Sequence, residues 1–312
     1  MEYRVLGNTR IKVSRMCFGS LTIGPLQRNL SLSEGSRLIR QALEAGVNFI
    51  DTAQLYRNYS YIRQALSGWQ EEVVIATKSY AYTKELMQNA LEEALRELDI
   101  EQIPIFLLHE QESEHTIRGH WPALEYLLRA KEQGKVKAVG ISTHHVQGVE
   151  GACKYPEIEI VSPLINVVGI GIQGGTREEM LAAIKKAKAL GKGIYAMKPL
   201  GGGHLIARQQ AAFQFLLELE DLDAIAVGMK NEVELKRNLA YFNGEAVPEG
   251  PIEYDERQLH IDDWCLRCGR CVRACPSRAL TETPHEIVVD QNKCVFCGYC
   301  GAVCPEFAIK VI

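Results

Sequence analysis

The chain has 312 residues, of which 46% are hydrophobic and 24% charged, with a formal net charge of −4. This is the composition of a globular protein long enough for one large domain and a smaller one. The acidic balance argues against a nucleic-acid partner, and no apolar run approaches the ~18 residues that span a membrane. The opening MEYRVLGNTR has no signal-peptide core, so we expect a cytoplasmic protein.

The first predicted element is a β-hairpin in the alternating segment EYRVLGNTRIKVS, which turns around Asn8-Thr9. Short apolar runs separated by amphipathic stretches follow as far as residue 242. Such runs are typical of strands that are buried on both faces of a parallel sheet. Eight runs predict strands: SRMCFGS (14–20), VNFID (47–51), EVVIATK (72–78), IPIFLLH (103–109), KVKAVGIS (135–142), IEIVSP (158–163), GIYAMKP (193–199) and LDAIAVG (222–228).

Helical patterns lie between these runs, for example over residues 83–99 and 177–191. Eight strand–helix units predict an α/β fold, a (β/α)8 TIM barrel over residues 1–242, with the hairpin closing its bottom. A doubly wound open sheet is the alternative, but no strand is followed by a G-x-G-x-x-G turn. Residues 243–259 lose periodicity and gain Pro, Gly and charge, which predicts a linker.

Eight of the ten cysteines fall between Cys265 and Cys304. Without a secretion signal, such a cluster indicates metal binding rather than disulfides. Both halves read C-x2-C-x2-C-x3-C-P, in which three thiolates bind one [4Fe–4S] cluster and the fourth, before proline, binds the other. The predicted ligands are Cys265, Cys268, Cys271 and Cys304 for one cluster, and Cys294, Cys297, Cys300 and Cys275 for the other.

Two zinc sites are the competing interpretation of these cysteines. Zinc takes four ligands, often as two separated C-x2-C pairs, and two complete runs that each end in Cys-Pro fit that pattern poorly. Residues 260–312 resemble bacterial two-cluster ferredoxins, including the gap between the two runs. The resemblance implies a small α+β ferredoxin-like domain that moves single electrons.

Ionisable residues lie at the carboxyl ends of several predicted strands, which is where barrel active sites are found. They are Asp51, Tyr56 on the following loop, Lys78 and His109. Each has an ordinary explanation when taken alone: an ion pair, a loop tyrosine or a hydrogen-bonded core histidine. Their joint placement favours a catalytic set.

The segment VNFIDTAQLY resembles the G-x-N-x-I/F-D-T-A-x-x-Y signature of aldo-keto reductases. The hairpin, Lys78 at a strand end and His109 after IPIFLL extend the resemblance over residues 1–242. It implies that Asp51, Tyr56, Lys78 and His109 form a catalytic tetrad. Tyr56 would be the general acid for a carbonyl oxygen, Lys78 with Asp51 would lower the tyrosine pKa, and His109 would orient the carbonyl.

Two loops predict a phosphate-binding site of the kind that barrels build after their seventh and eighth strands. KPLGGGHL (198–205) follows the seventh strand, and GMKNEVELKRN (228–238) follows the eighth, where a helix beginning near Asn231 offers free N–H groups. In aldo-keto reductases these loops hold NADPH, so the resemblance implies a nicotinamide cofactor. The residues it assigns to the cofactor are Ser142, Lys198, Pro199, Leu200, Gly201, Gly202, Gly203, Gly228, Lys230, Glu234 and Asn238.

Some positions depart from the family pattern. Met197 stands where an aromatic residue usually stacks on nicotinamide. Glu234 takes the position of an arginine that binds the 2′-phosphate, and Lys230 or Arg237 could compensate for its negative charge. NAD and NADP therefore both stay open.

Together the two halves predict an oxidoreductase that reduces a carbonyl or related small molecule with NAD(P)H and exchanges single electrons through two [4Fe–4S] clusters. The alternative is an electron-transfer protein whose barrel binds a flavin or a partner and no longer reduces carbonyls. A flavin would also link hydride chemistry to single-electron steps. Arg267, Arg270 and Arg273 are either a solvated face or a docking site for an electron carrier such as a ferredoxin or flavodoxin.

Overall fold

A computed structural model describes residues 1–248 and 257–312 of the chain. The predicted hairpin is present, with β1 (Tyr3–Val5) antiparallel to β2 (Lys12–Ser14). Leu6 and Val13 are fully buried and pack against side chains that fill the inside of the barrel. The hairpin therefore closes the bottom of the barrel, as predicted.

Eight parallel strands form the closed barrel that the sequence predicts. The last strand, β10, pairs with both β9 and β3, which completes the ring. The strands are β3 (Met16–Gly19), β4 (Phe49–Asp51), β5 (Val74–Ser79), β6 (Ile103–Leu108), β7 (Val136–Thr143), β8 (Ile160–Pro163), β9 (Gly193–Met197) and β10 (Ala224–Gly228).

Both faces of the barrel sheet are buried. In β6, Ile105 and Leu107 belong to the core inside the barrel, whereas Ile103, Phe106 and Leu108 pack in the outer core with the helices. Because neither face meets water, the strand is a continuous apolar run instead of an alternating one. This explains why the strands could be located in the sequence.

Helices follow the strands and cover the outside of the barrel, and two of them, α4 and α5, follow β6. The stretches 83–99 and 177–191 are helical as predicted, and Thr83 and Thr176 cap their first turns. No helix in the described residues is long and apolar enough to cross a membrane. The helices are α1 (Leu32–Glu44), α2 (Tyr59–Leu66), α3 (Lys84–Leu98), α4 (Glu114–Gly119), α5 (Trp121–Glu132), α6 (Val146–Ala152), α7 (Arg177–Ala189), α8 (Gln209–Leu217) and α9 (Glu232–Asn243).

The C-terminal residues form a small domain of two short sheets and two short helices. β11 (Leu259–Ile261) pairs with β14 (Ile309–Val311), and β12 (Leu280–Glu282) pairs with β13 (Ile287–Val289). α10 (Arg270–Ala274) and α11 (Tyr299–Ala302) each start after a left-handed glycine, Gly269 or Gly298, at the same place in the two cysteine runs. The domain is thus built from two similar halves around the cysteines.

The predicted linker lies between the two domains. The last barrel helix ends at Asn243 and β11 begins at Leu259, and the domain limits stay a prediction. Part of the predicted linker, 249–256, lies outside the described residues.

The small domain docks on the carboxyl face of the barrel. The Val311 amide donates to the Gly202 carbonyl at 2.8 Å, which joins β14 to the loop after β9. The His204 ring packs against Gly301, and its Nε2 donates to the Ile309 carbonyl at 3.1 Å. The glycines of this loop therefore let the last strand of the chain approach its backbone closely.

We predict that Gly203→Ala weakens this docking. Gly203 has a φ of +91°, and a Cβ there would collide with the Val311 carbonyl oxygen. The variant should expose the C-terminal domain to limited proteolysis and lower the midpoint of thermal unfolding of the holoprotein.

Gly244→Ala is the matched control, because Gly244 also has a positive φ, +67°, and nothing in the described chain lies within 4 Å of its Cβ position. The control should lose only ~1 kcal/mol of its free energy of unfolding, which is the cost of a non-glycine residue in a left-handed backbone conformation. Equal protease sensitivity in the two variants would contradict the docking contact.

Candidate active site

A cavity of about 170 Å³ opens at the carboxyl ends of the barrel strands. All four residues of the predicted catalytic set line it: Asp51, Tyr56, Lys78 and His109. The C-terminal domain contributes part of the wall, through Trp264, Lys310, Val311 and Ile312. The catalytic face of the barrel is therefore completed by the cysteine-rich domain.

A buried ion pair lies at the base of this cavity. Lys78 Nζ donates to Asp51 Oδ1 at 2.8 Å and to the Thr52 carbonyl at 2.7 Å. Tyr195 of β9 reaches across the barrel and donates its hydroxyl to Asp51 Oδ2 at 2.9 Å. The sequence analysis missed Tyr195; the available signal was a tyrosine in a buried strand, since such a hydroxyl needs a partner.

Tyr56 ends a 3-10 turn that directly follows β4. Its ring is 6.0 Å from the His109 ring, edge on, and Lys78 Nζ lies 5.2 Å from its centroid. Burial, and then the charge of Asp51, raises the pKa of Tyr56 well above its ordinary value. The expectation that Lys78 lowers this pKa is not met, because the ammonium hydrogen bonds are directed to a carboxylate and a carbonyl instead of the phenol.

His109 is a neutral imidazole at physiological pH, because burial lowers its pKa to about 3. Its ring stacks on Tyr80 with centroids 4.3 Å apart. Its Nδ1 is buried and has no hydrogen-bond partner in the described part of the chain. A neutral ring can orient a bound polar group, whereas the protonated phenol of Tyr56 is the group able to donate a proton.

Glu110 and His144 also belong to the site, although the sequence analysis did not single them out. His144 Nε2 lies 3.2 Å from Glu110 Oε1 and 2.6 Å from Lys198 Nζ. Burial, and then the charge of Lys198, lowers the pKa of His144 to about 3. Burial alone would raise the pKa of Glu110, but His144 and Lys198 outweigh it and hold that pKa below its usual range. Their positions just beyond β6 and β7 were the available signal.

Lys198 directly follows β9 and has a left-handed backbone, with φ of 58°. Its side chain extends to His144, beyond the end of β7. In the barrel β9 lies between β8 and β10, so this direction leads away from the loop after β10. Burial, and then the nearby charge of Lys310, lowers the pKa of Lys198 to about 7.

Most residues predicted to bind a nicotinamide cofactor line this cavity or a smaller one of about 50 Å³ beside it. Those on the larger cavity are Lys198, Pro199, Leu200, Gly202, Gly203, Gly228, Lys230 and Glu234. Asn238 lines only the smaller one. Two predicted residues line neither: Gly201, and Ser142, whose hydroxyl accepts a hydrogen bond from the Glu110 amide at 2.9 Å.

The charge of Glu234 is balanced by an arginine that the sequence analysis did not name. Arg257 Nη2 donates to Glu234 Oε1 at 2.7 Å, and the arginine side chain is 5% exposed. Arg257 lines both cavities, and its Nε is buried without a partner among the described residues. A buried guanidinium with an unused donor beside the glycine loop fits a phosphate-bearing cofactor.

Thiols from the two cysteine runs lie near one another in the small domain. Burial raises the pKa of Cys271, and the nearby thiols of Cys265 and Cys304 raise it further. The pKa of Cys294 is likewise raised by burial and then by Cys275. The last cysteine of each run is therefore near thiols of the other run, and the crossed ligand sets stay a prediction.

Backbone amides point at three of these sulfurs, and the first is Cys265 Sγ, which accepts from Arg267 N at 3.4 Å. Cys275 Sγ accepts from Ala279 N at 3.3 Å, and Cys304 Sγ accepts from Ala308 N at 3.2 Å. Such bonds stabilise thiolates that ligate iron–sulfur clusters. A four-iron cube binds each thiolate through a different iron, and the two runs supply the eight cysteines that two such clusters need.

The fold and the site together define a (β/α)8 barrel with polar chemistry at its carboxyl face, joined to an iron–sulfur domain. The family model for the aldo/keto reductase family matches residues 15–211, and the model for a 4Fe-4S dicluster domain matches residues 258–305. The chain belongs to the aldo/keto reductase family. It is an oxidoreductase of that family that carries a 4Fe-4S dicluster domain.

Characterised relatives match most of the chain at low identity. A 6-dehydroglucose reductase of Novosphingobium aromaticivorans is 26% identical over 261 residues, which is 74% of this chain and 79% of that protein. An L-galactose dehydrogenase of Arabidopsis thaliana is 21% identical over 77% of this chain and 88% of its own length.

Solved structures show the same fold. A putative aldo-keto reductase of Pseudomonas aeruginosa superposes with a TM-score of 0.66 at 24% identity, over 78% of this chain and 94% of that one. An aldo-keto reductase of Bacillus halodurans superposes with a TM-score of 0.66 at 21% identity, over 80% of this chain and 93% of that one. These similarities confirm the barrel predicted from the sequence.

We predict that Asp51→Asn destabilises the protein by about 3–5 kcal/mol, because it leaves the buried Lys78 ammonium without its counter-charge. The double variant Asp51→Asn/Lys78→Met should recover part of the loss, since neither buried charge then remains. Denaturant unfolding of the holoprotein measures the free energy of unfolding of both variants. Glu125→Gln, in an exposed helical ion pair with Arg129, is the control and should cost nothing measurable. The single variant Lys78→Met completes the comparison. If the losses of unfolding free energy in Asp51→Asn and Lys78→Met add up to the loss in the double variant, the coupling between the two charges is contradicted.

Proposed function

We propose that this protein reduces a carbonyl group of a small molecule with NAD(P)H, and that its two [4Fe–4S] clusters exchange single electrons with a partner or with the site. The observation that carries the proposal is the meeting of Asp51, Tyr56, Lys78 and His109 around one cavity at the barrel mouth. Family membership supports it, because the matching residues are those that the family signature names. The nicotinamide, when bound, supplies the hydride.

Tyr56 is the proton donor in this proposal. Its raised pKa keeps the phenol protonated throughout the physiological range, so the donor is always available. His109, neutral and edge-on to the phenol, orients the carbonyl oxygen toward it. Lys78 and Asp51 fix the floor of the cavity, and the Lys78 ammonium favours negative charge that develops on the oxygen.

The residues that would hold the cofactor lie on the β9 and β10 side of the mouth. The glycine loop 201–203 and the amino end of α9 offer close backbone approach and N–H groups. Arg257 and Lys230 supply positive charge next to them. The pairing of Glu234 with Arg257 leaves both NAD and NADP as candidates.

The eight cysteines would hold the two clusters in crossed sets, with Cys304 joining the first run and Cys275 the second. Bound clusters pass electrons one at a time. Arg267, Arg270 and Arg273 are exposed on this domain, and a negatively charged electron carrier of the ferredoxin or flavodoxin kind would meet them. The protein would then act in a soluble compartment such as the cytoplasm.

A second candidate is electron transfer through a barrel that binds a flavin instead of a nicotinamide. One observation favours it: Ser142 is already bonded to Glu110, and the Gly202 carbonyl is already bonded to Val311. Fewer groups are then free for a nicotinamide carboxamide and ribose. Acid release of a yellow flavin from the purified protein would support this candidate, and its absence, together with saturable NADPH binding, would support the first.

We predict that Tyr56→Phe lowers kcat for NADPH-dependent aldehyde reduction by about 10²–10⁴-fold, because it removes the proton donor. Binding of NADPH, followed by the quenching of tryptophan fluorescence, should not change. The measurement is the anaerobic, aldehyde-dependent oxidation of NADPH.

The control for this prediction is Tyr82→Phe. Tyr82 is 57% exposed and does not line the cavity, so its hydroxyl should not affect kcat. Full activity in Tyr56→Phe would remove Tyr56 from its proposed role. The absence of NADPH binding in the unaltered protein would overturn the proposed cofactor.

Crossed ligation makes a separate prediction for the reduced, anaerobic protein in electron paramagnetic resonance. Cys265→Ala and Cys294→Ala should each perturb one of two cluster signals, which gives two reference spectra. The spectrum of Cys304→Ala should then match that of Cys265→Ala, and the spectrum of Cys275→Ala should match that of Cys294→Ala. The reason is that the last cysteine of each run is the predicted fourth ligand of the cluster bound by the other run.

Cys153→Ala is the control and should keep both signals, because Cys153 lies in the barrel, at the end of α6. Consecutive ligation would give the opposite match, with Cys275→Ala resembling Cys265→Ala. That result would contradict the crossed arrangement.

A further inference from the structure

We propose that Lys198 and Lys310 form a carboxylate-binding subsite, so that the molecule reduced is a small carbonyl compound that carries a carboxylate. The inference rests on the proposed function, because it names the substrate class of the same cavity. Both lysines line that cavity, one from the barrel and one from the last strand of the iron–sulfur domain.

Lys198 has a half-buried ammonium group without a carboxylate ion pair in the described part of the chain. Its hydrogen-bond partner is His144 Nε2 at 2.6 Å, and burial keeps that ring neutral. Glu110 Oε1 lies 3.2 Å from the same nitrogen. A half-buried ammonium that faces a cavity retains donors that need acceptors, and a bound carboxylate would supply them.

The backbone at Lys198 is consistent with a built site. A φ of 58° is uncommon for a residue with a Cβ. This conformation accompanies a side chain that crosses toward the end of β7. Strain of this kind persists where the surrounding structure requires the side chain in one place.

Lys310 brings a second ammonium group to the same place. It is 3% exposed, pairs with Asp262 at 3.2 Å, and lies 4.1 Å from the centroid of the Phe307 ring. Lys198 Nζ lies 4.6 Å from the same centroid. Two like charges around one ring repel each other, and an anion placed against both would relieve that repulsion.

The direction of the Lys198 side chain favours a substrate carboxylate over a cofactor phosphate. Lys198 points toward His144 and Glu110, next to His109. Arg257 lies toward β10, in the other direction around the ring, whereas Lys310 packs against Gly202 of the glycine loop. Lys198 therefore presents its charge on the His109 side of the mouth, away from Arg257.

The test compares 4-carboxybenzaldehyde with 4-formylbenzamide, its uncharged analogue, as substrates of the holoprotein. The unaltered protein should have the lower KM for the carboxylate. Lys198→Met and Lys310→Met should each raise that KM by about tenfold or more, because a charge-assisted contact is lost. The KM for the amide and the KM for NADPH should stay the same in both variants.

Lys137→Met is the control, because Lys137 is an exposed lysine paired with Glu72 far from the cavity mouth, and it should leave all three KM values unchanged. Visible absorption of the clusters confirms that Lys310→Met retains its C-terminal domain. An equal rise in the KM of both aldehydes in the lysine variants would overturn the subsite. A rise in the KM for NADPH alone would assign the lysines to cofactor phosphate instead.

Direct binding separates this inference from the proposed function. Calorimetry with benzoate and benzamide should show binding of benzoate only, and Lys198→Met should abolish it. If benzoate binds in this way but neither aldehyde is reduced, the proposed function fails and the subsite stands. If both aldehydes are reduced with equal KM and benzoate does not bind, the subsite fails and the function stands.

Discussion

The cavity depends on one buried ion pair. Lys78 and Asp51 lie where the inside of the barrel meets its mouth, and the side chain of Lys78 is only 3% exposed. A charge in that position is tolerated only if its partners are fixed, which is why Thr52 and Tyr195 complete the hydrogen bonds. The pair in turn fixes the floor against which Tyr56 and any substrate must pack.

The second constraint is the closure of the barrel mouth by the C-terminal domain. A domain of this size has too little apolar core to be stable alone, so its folding depends on the metal that its cysteines bind. Yet its last strand bonds to Gly202 and its Lys310 and Trp264 line the cavity. We therefore expect cluster assembly to affect the shape of the cavity. Trp264 directly precedes Cys265, which places one predicted cluster close to the cavity wall.

The sequence predicts those features that are encoded locally. Continuous apolar strands revealed the barrel because both faces of its sheet are buried, and the cysteine spacing revealed the cluster domain because ligand geometry repeats along the chain. The four residues predicted to be catalytic could be singled out because each stands at or shortly after the end of a strand. The order of strands then brings them together without further information.

What the sequence could not show depends on contacts between distant segments. Arg257 lies in a stretch with linker composition, and nothing local relates it to Glu234. Lys310 lies in a short terminal strand that pairs with β11 and also bonds, through Val311, to the glycine loop of the barrel. The raised pKa of Tyr56 has the same origin, because its largest cause is burial, which depends on the whole mouth.

The positive charges around the mouth come from two parts of the chain: Lys198 belongs to the barrel and Lys310 to the docked domain. Barrel residues alone would leave Lys198 beside neutral His144, facing an open cavity. The docked domain adds Lys310, which has its own counter-ion, Asp262. The Lys198 and Lys310 ammonium groups lie 4.6 and 4.1 Å from the centroid of the Phe307 ring. Like charges are brought together inside a protein at a cost, and such an arrangement persists where an anion is bound there during function. The iron–sulfur domain would then select the substrate of the barrel as well as exchange electrons with it.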